Sequence, residues 1–278
     1  MKEFRRKQKR LKRIMNILIY ISVAFIIIYC GAEPMLIKSI GTSATAVISY
    51  IMYAFIIACL AVLFTYTSKY GKSDKFLESV ENELEDIGYY YTSREESNID
   101  AYADVVIDDL RSQGFSVNEN EELNDFTFDA AARKSKEYFY IIKIDDLDKN
   151  DVVAYIDTVI YDITAVNIKR RCNAVIMFLC DTADDGAVSL SKMITPLGKK
   201  ETIKIAVSIV ELSTKRVYFL GNKTTKCQQM IANYAMNCNV PIKDEYKGSE
   251  KLQFQYDLEE HMKTFNIKDF KNGNFYAH

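Results

Sequence analysis

Two uncharged apolar stretches near the N-terminus constrain this chain more than any other feature. Ile14 to Cys30 runs for seventeen residues without a charged side chain, and Ala44 to Thr67 for twenty-four. Wound as α-helices they reach about 26 and about 36 Å, against a hydrocarbon slab about 30 Å thick. Each is long enough to cross a bilayer, the second with some tilt. Burial in a soluble domain would demand helices that are apolar on every side over this length and a core large enough to cover them. The expected architecture is a transmembrane helical hairpin over residues 14–67, with spans at 14–31 and 44–67 and a short GAEPMLIKSIGTS connection as a loop.

Lysine and arginine near the spans set the expected orientation. Eight lie within residues 1–13, Lys38 lies in the connection, and Lys69, Lys72 and Lys75 follow the second span. Cations accumulate on the cytoplasmic side, so both termini are expected in the cytoplasm, at the plasma membrane, with the connection outside. A cleaved signal peptide is the rival, since Cys30-Gly31-Ala32 offers small residues after an apolar run. That run is longer than a usual signal core, and the second span would still hold the C-terminal part inside. The basic N-terminus, residues 1–13 at net +7, is also expected to be drawn to anionic headgroups, by about 1 kcal/mol per cation near the surface.

Beyond the hairpin the charge changes sign. From residue 72 onward 26 basic residues face 36 acidic ones, a net charge of −10, which opposes nucleic acid as a partner because that affinity rests largely on neutralised phosphates. Six cysteines without a C-x-x-C pair and only two histidines suggest neither a disulfide framework nor a zinc site, and suit a reducing compartment. Residues 72–265 are long enough for a packed cytoplasmic domain, followed by a polar tail at 266–278.

Within that domain a polar joint at 68–75 precedes an amphipathic helix from Lys75 to Ile87, and a second helix spans Asn98 to Ser112, closed by Gly114. Strands are expected at Phe115–Asn118, Phe126–Arg133 and Glu137–Asp145, then a long helix at Asp151–Lys169, with Lys169-Arg170-Arg171 at the end the macrodipole favours. Ala174–Cys180 is apolar at every position and suits a central strand covered on both faces. A short helix at 187–199, a strand at Thr202–Val210 that alternates apolar residues with Lys204 and Ser208, a strand at Lys215–Leu220, and helices at 224–237 and 249–265 complete the pattern. The expected fold class is an α/β (α+β) domain with a mixed sheet flanked by helices.

Asp129 in FTFDAAARK and Lys143 in YFYIIKID lie on consecutive strands of a helix, strand, strand, strand, helix, strand order over residues 98–180. In this they resemble, distantly and in a degenerate form, the core of the restriction-endonuclease-like superfamily. Its PD-(D/E)xK motif places one acid on the second strand, and an acid and a lysine on the third, to hold Mg²⁺ beside a scissile phosphate. The resemblance implies Asp129 and Lys143 as catalytic residues of a metal-dependent hydrolase. The second acid is missing, because Ile141 stands two residues before Lys143. Glu137 shares the face of Lys143 but lies about 20 Å away, whereas Asp145, about 7 Å away, is the substitute that spacing allows.

Other motifs resolve into simpler chemistry. Asp146 to Asp157 partly matches an EF-hand loop, but Asp151 stands where that loop turns on glycine, so helix capping by Asp148 or Asn150 explains these residues. The acidic turn Asp181–Gly186 follows the buried strand, at the strand end where open sheets bind ligands. Gly71-Lys72-Ser73 lacks the earlier glycine of a phosphate loop, and His261 has no nucleophile at a recognisable spacing. Neither apolar span carries an ionisable residue to line a conducting path. The leading expectation is therefore a membrane-anchored binding or interaction module without catalytic activity, with a protein partner, a small ligand or a second copy bound. A membrane-tethered nuclease-like hydrolase using Asp129, Lys143, Asp145 and Mg²⁺ is the alternative.

Overall fold

The computed structural model describes residues 2–167, 171–197 and 202–264. The polar tail and the basic cluster at 169–170 lie outside the described residues. Two compact units emerge: the first closes at Val80 and also takes in the chain from His261, and the second is Glu81–Glu260.

In the first unit, helix α1 (Lys2–Ile40) and helix α2 (Thr42–Glu85) are each longer than their apolar stretch. The connection at 31–43, expected as a loop, is helical except at Gly41. This residue takes φ +81°, a left-handed conformation open to glycine at little cost, and the chain reverses there in one residue. The expected joint at 68–75 is also helical. Its single glycine does not outweigh the good helix-forming lysines and propagation from the turns on either side. The helices meet through Phe25 and Phe55, with ring centroids 6.5 Å apart, and through a hydrogen bond between the Tyr29 and Ser49 hydroxyls. At the other end of the pair Asp74 takes an ion pair from buried Arg5 and another, at 2.7 Å, from Lys12.

Both helices are long and apolar enough to cross a membrane, and none of the most apolar stretch of α2 is buried. Tyr20, Ile28, Ile51, Ile57 and Phe64 are all more than 60% exposed.

The second unit is built on an eight-stranded sheet. Its chain order begins with strand β1 (Tyr90–Tyr91), helix α3 (Ile99–Ser112), and strands β2 (Ser116–Leu123), β3 (Phe126–Lys134) and β4 (Glu137–Lys143). A short strand β5 (Asp146–Leu147), helix α4 (Lys149–Asn167), strand β6 (Cys172–Cys180) and short strand β7 (Thr182–Ala183) follow. Then come helix α5 (Asp185–Ser191) and strands β8 (Ile194–Leu197), β9 (Ile203–Glu211) and β10 (Arg216–Tyr218). Helix α6 (Lys226–Met230) runs into a π-helical turn at Ile231–Ala235, and helix α7 (Gln253–Lys263) is last.

The sheet order is β1-β10-β9-β6-β4-β3-β2, with β8 also on β9. Strands β2, β3 and β4 form an antiparallel meander, and β4, β6 and β9 run parallel. One face packs Phe139, Ile141, Val175, Met177 and Val210 against Tyr102, Val106 and Leu110 of α3 and against the π turn. The other packs Tyr140, Ile142, Ile176, Phe178 and Ile205 against Val152, Val159 and Ile163 of α4. The expected two-sided burial of the central strand is what β6 shows, with every position but Asn173 buried.

Three further expectations need correction. The helix expected at 187–199 stops at Ser191, and Ile194–Leu197 pairs with β9 instead. Pro196 lacks the N–H a helix interior needs, and β-branched Ile194 and Thr195 suit a strand. Ser208, read as the polar side of an alternating strand, is fully buried and its hydroxyl has no partner among the described residues. The third strand ends at Lys143, two residues earlier than expected, and the chain turns into β5.

Candidate functional site

Asp129 and Lys143 do come together. Beyond the last paired residues of β3 and β4, Ala130 and Ile141, the Lys143 backbone N–H donates to Asp129 Oδ2 at 2.7 Å. The Lys143 Nζ lies 3.3 Å from Asp129 Oδ1. Strict alternation breaks here: Ala130 and Ala132 face α3, yet Phe128 packs with Tyr140 on the opposite face. Asn120, across the strand pair, takes φ 51° at the same place. Asp100, in the first turn of α3 and not singled out by sequence, supplies a third group, with Lys143 Nζ donating to its Oδ1 at 2.8 Å. Asn98 caps that helix by accepting from the N–H groups of Asp100 and Ala101, which fixes where Asp100 points.

The electrostatics describe a lysine held between two acids. The hydrogen bond to Asp100 raises the Lys143 pKa most; burial lowers it by less, and the hydrogen bond and charge of Asp129 raise it further, so the ammonium stays charged. Asp145 lies just past the strand, exposed, and its backbone carbonyl accepts from the Asp181 and Thr182 N–H groups. Among the described residues no group of three or more His, Cys, Asp and Glu side chains is placed to hold a metal ion. At the motif position of the missing acid, Ile141 is fully buried in the core. A divalent ion wants several oxygen ligands, so Asp129 and Asp100 with an ammonium between them do not fit one.

A second charged cluster was not legible in the sequence. Lys192, just after α5, is fully buried and donates all three ammonium protons: to Asp86 Oδ2 at 2.9 Å and to the carbonyls of Ile87 and Phe219, each at 2.8 Å. The other Asp86 oxygen accepts from the Tyr90 hydroxyl at 2.8 Å and the Gly221 N–H at 3.1 Å. Burial lowers the Lys192 pKa while Asp86 raises it, and burial together with Asp86 raises that of Tyr90. Nearby Glu83, 9% exposed, is pushed up to about 7, chiefly by burial. Every Lys192 proton and both Asp86 oxygens are engaged inside the protein, so the pair is a structural bolt.

No known family model matches this chain. No curated protein matches it either.

The remaining motifs have local roles. Asp148 Oδ1 accepts from the N–H groups of Asn150 and Asp151, and Asp151 answers by accepting from the Asp148 N–H, which is the expected cap of α4. In the acidic turn, Asp184 caps α5 through the Ala187 N–H, and Thr182 donates to Asp146 across the β5–β7 pair. The thiols of Cys172, Cys180 and Cys227 are buried, and burial pushes them up to about 11, 12 and 12, so they are packing groups. His261 lies exposed on α7.

Proposed function

We propose that this chain is a membrane-anchored binding or interaction module: α1 and α2 insert as a hairpin in the plasma membrane, with both termini and the α/β domain in the cytoplasm. The observation that carries this reading is the apolar surface of the two helices, exposed on nearly every side over bilayer length. In water that surface would drive aggregation, whereas in lipid it is solvated. Charge asymmetry supports the orientation, and the basic start adds attraction to anionic headgroups. Protease added to sealed right-side-out vesicles tests the topology. The domain should survive until the vesicles are opened, and its digestion in intact vesicles would overturn the reading.

A second reading rests on one specific observation, the approach of Lys143 to Asp129 at the end of a β2–β3–β4 meander joined through α4 to parallel β6. That arrangement supports a restriction-endonuclease-like core, one whose second metal carboxylate has been replaced by Ile141. Metal-dependent cleavage lost in both Asp129→Ala and Lys143→Ala, with folding retained, would favour a hydrolase. Equal behaviour of both variants and the parent favours the binding module.

A further inference from the structure

A cavity of about 280 Å³ opens between the end of α3 and the π-helical turn, with Gln113, Asn233, Tyr234, Asn237 and Asn239 in its walls. This is the volume of about nine waters at about 30 Å³ each, which sets the scale of an occupant. Two independent features mark it as a built site. The first is its backbone. A π turn leaves carbonyls without regular helical partners, and such turns recur at functional sites. Here four consecutive carbonyls are each captured from outside. Arg94 Nε and Nη2 donate to the Tyr234 carbonyl at 3.1 and 2.8 Å, and the Tyr102 hydroxyl donates to that of Ala235. Ser93 Oγ donates to the carbonyls of Met236 at 2.7 Å and Asn237 at 3.1 Å. Asn237 is thereby held at φ 53°, a conformation most side chains avoid. These bonds hold the wall in place without a ligand.

The second feature is its chemistry. The four carboxamides of Gln113, Asn233, Asn237 and Asn239 make no hydrogen bond to protein among the described residues, and each offers a donor and an acceptor side by side. No lysine or arginine lines the cavity, and its one charged wall residue, Asp109, is paired with Arg94 at 2.5 Å. Such a wall selects a small uncharged molecule with adjacent donors and acceptors, and the carboxamide pattern is the one that pairs bidentately with a base edge. Tyr234, packed edge-on between Phe115 and Phe139, supplies an aromatic boundary.

We propose that this cavity binds an uncharged nucleobase or nucleoside. The proposal rests on the reading of the domain as a binding module, and names its ligand class. The test is calorimetric titration of the full chain in detergent micelles with adenosine, guanosine, cytidine and uridine, with adenosine monophosphate and glucose alongside. Saturable one-to-one binding of at least one nucleoside is expected, no tighter for the monophosphate than for adenosine. The exposed double variant Asn233→Leu/Asn239→Leu should weaken it about tenfold, as two lost hydrogen bonds imply. Ser112→Trp, which fills the cavity mouth, should abolish it. No saturable nucleoside binding at millimolar concentration overturns the proposal, as does binding untouched by both variants or matched by glucose. Micelles carry no sidedness, so a failed titration leaves the topology standing, and a failed topology leaves the titration standing.

Discussion

Lys192 is a charge sealed inside the domain, and removing either member of such a pair leaves the other buried and unpaired. Lys192→Met should therefore destabilise the protein by about 3–5 kcal/mol, while the double variant Asp86→Leu/Lys192→Met should recover only part of the loss, because the Tyr90 hydroxyl, the Gly221 N–H and the carbonyls of Ile87 and Phe219 then lack partners. Denaturant unfolding of the three proteins measures both effects. Glu83 gives a different pH signature. Its folded pKa of about 7 lies above the ordinary value of 4.5, so the folded state holds a proton there that the unfolded state has released. Stability is then full below about pH 4.5, falls as pH rises toward 7, and is flat above. Glu83→Gln should match the parent at pH 4.5 and exceed it at pH 8 by up to ~3 kcal/mol, read from unfolding at the two pH values. Neither residue announces itself in the sequence. Lys192 follows an ordinary short helix, and Glu83 is one of several acids along α2 that a linear reading treats alike.

At the scale of elements, legibility followed periodicity. Helix α3, strands β3, β4 and β6 and helix α4 were readable because apolar spacing, Asn98, Gly114 and Asp148 agree locally with the tertiary answer. The candidate site was half readable. The resemblance carried by Asp129 and Lys143 pointed to their approach, whereas Asp100 comes from a helix distant in sequence, and the break at Phe128 cannot be counted from strand parity. Residues 187–199 are ambiguous in sequence because a short apolar stretch fits helix or strand equally, and only pairing with β9 decides it. The loop after β10 offers a test of packing between elements. A Cβ at Gly221 would lie 2.3 Å from the Tyr90 ring and hydroxyl. Gly221→Ala must displace Tyr90 from Asp86, and should cost about 1–3 kcal/mol, measured by thermal unfolding.

For the whole molecule, the two compact units predict separable behaviour. A fragment of residues 81–264 retains the sheet, both faces of its core and the Lys192 bolt. It should be soluble without detergent, whereas the full chain should require it, and gel filtration of the two in detergent-free buffer checks this. The hairpin was legible because length and absence of charge are read directly from sequence. Its one-residue reversal at Gly41 is not, because Pro34 reads as the break within 31–43, whereas the helix runs on through it to Ile40 and turns only at the glycine.

Strand β2 is the outer rim of the sheet, and carries Glu119, Glu121 and Glu122 with the left-handed Asn120 between them. Copies confined to one membrane plane collide far more often than the same copies dispersed in solution, and an open row of backbone amides invites them to zip into fibres. Charged side chains along the rim, Glu119 paired with Arg111 and Glu121 with Arg133, hinder a second strand, and a kinked rim cannot lie flat against another. For a hairpin anchored in lipid, as proposed above, such an edge would let copies crowd in two dimensions without polymerising.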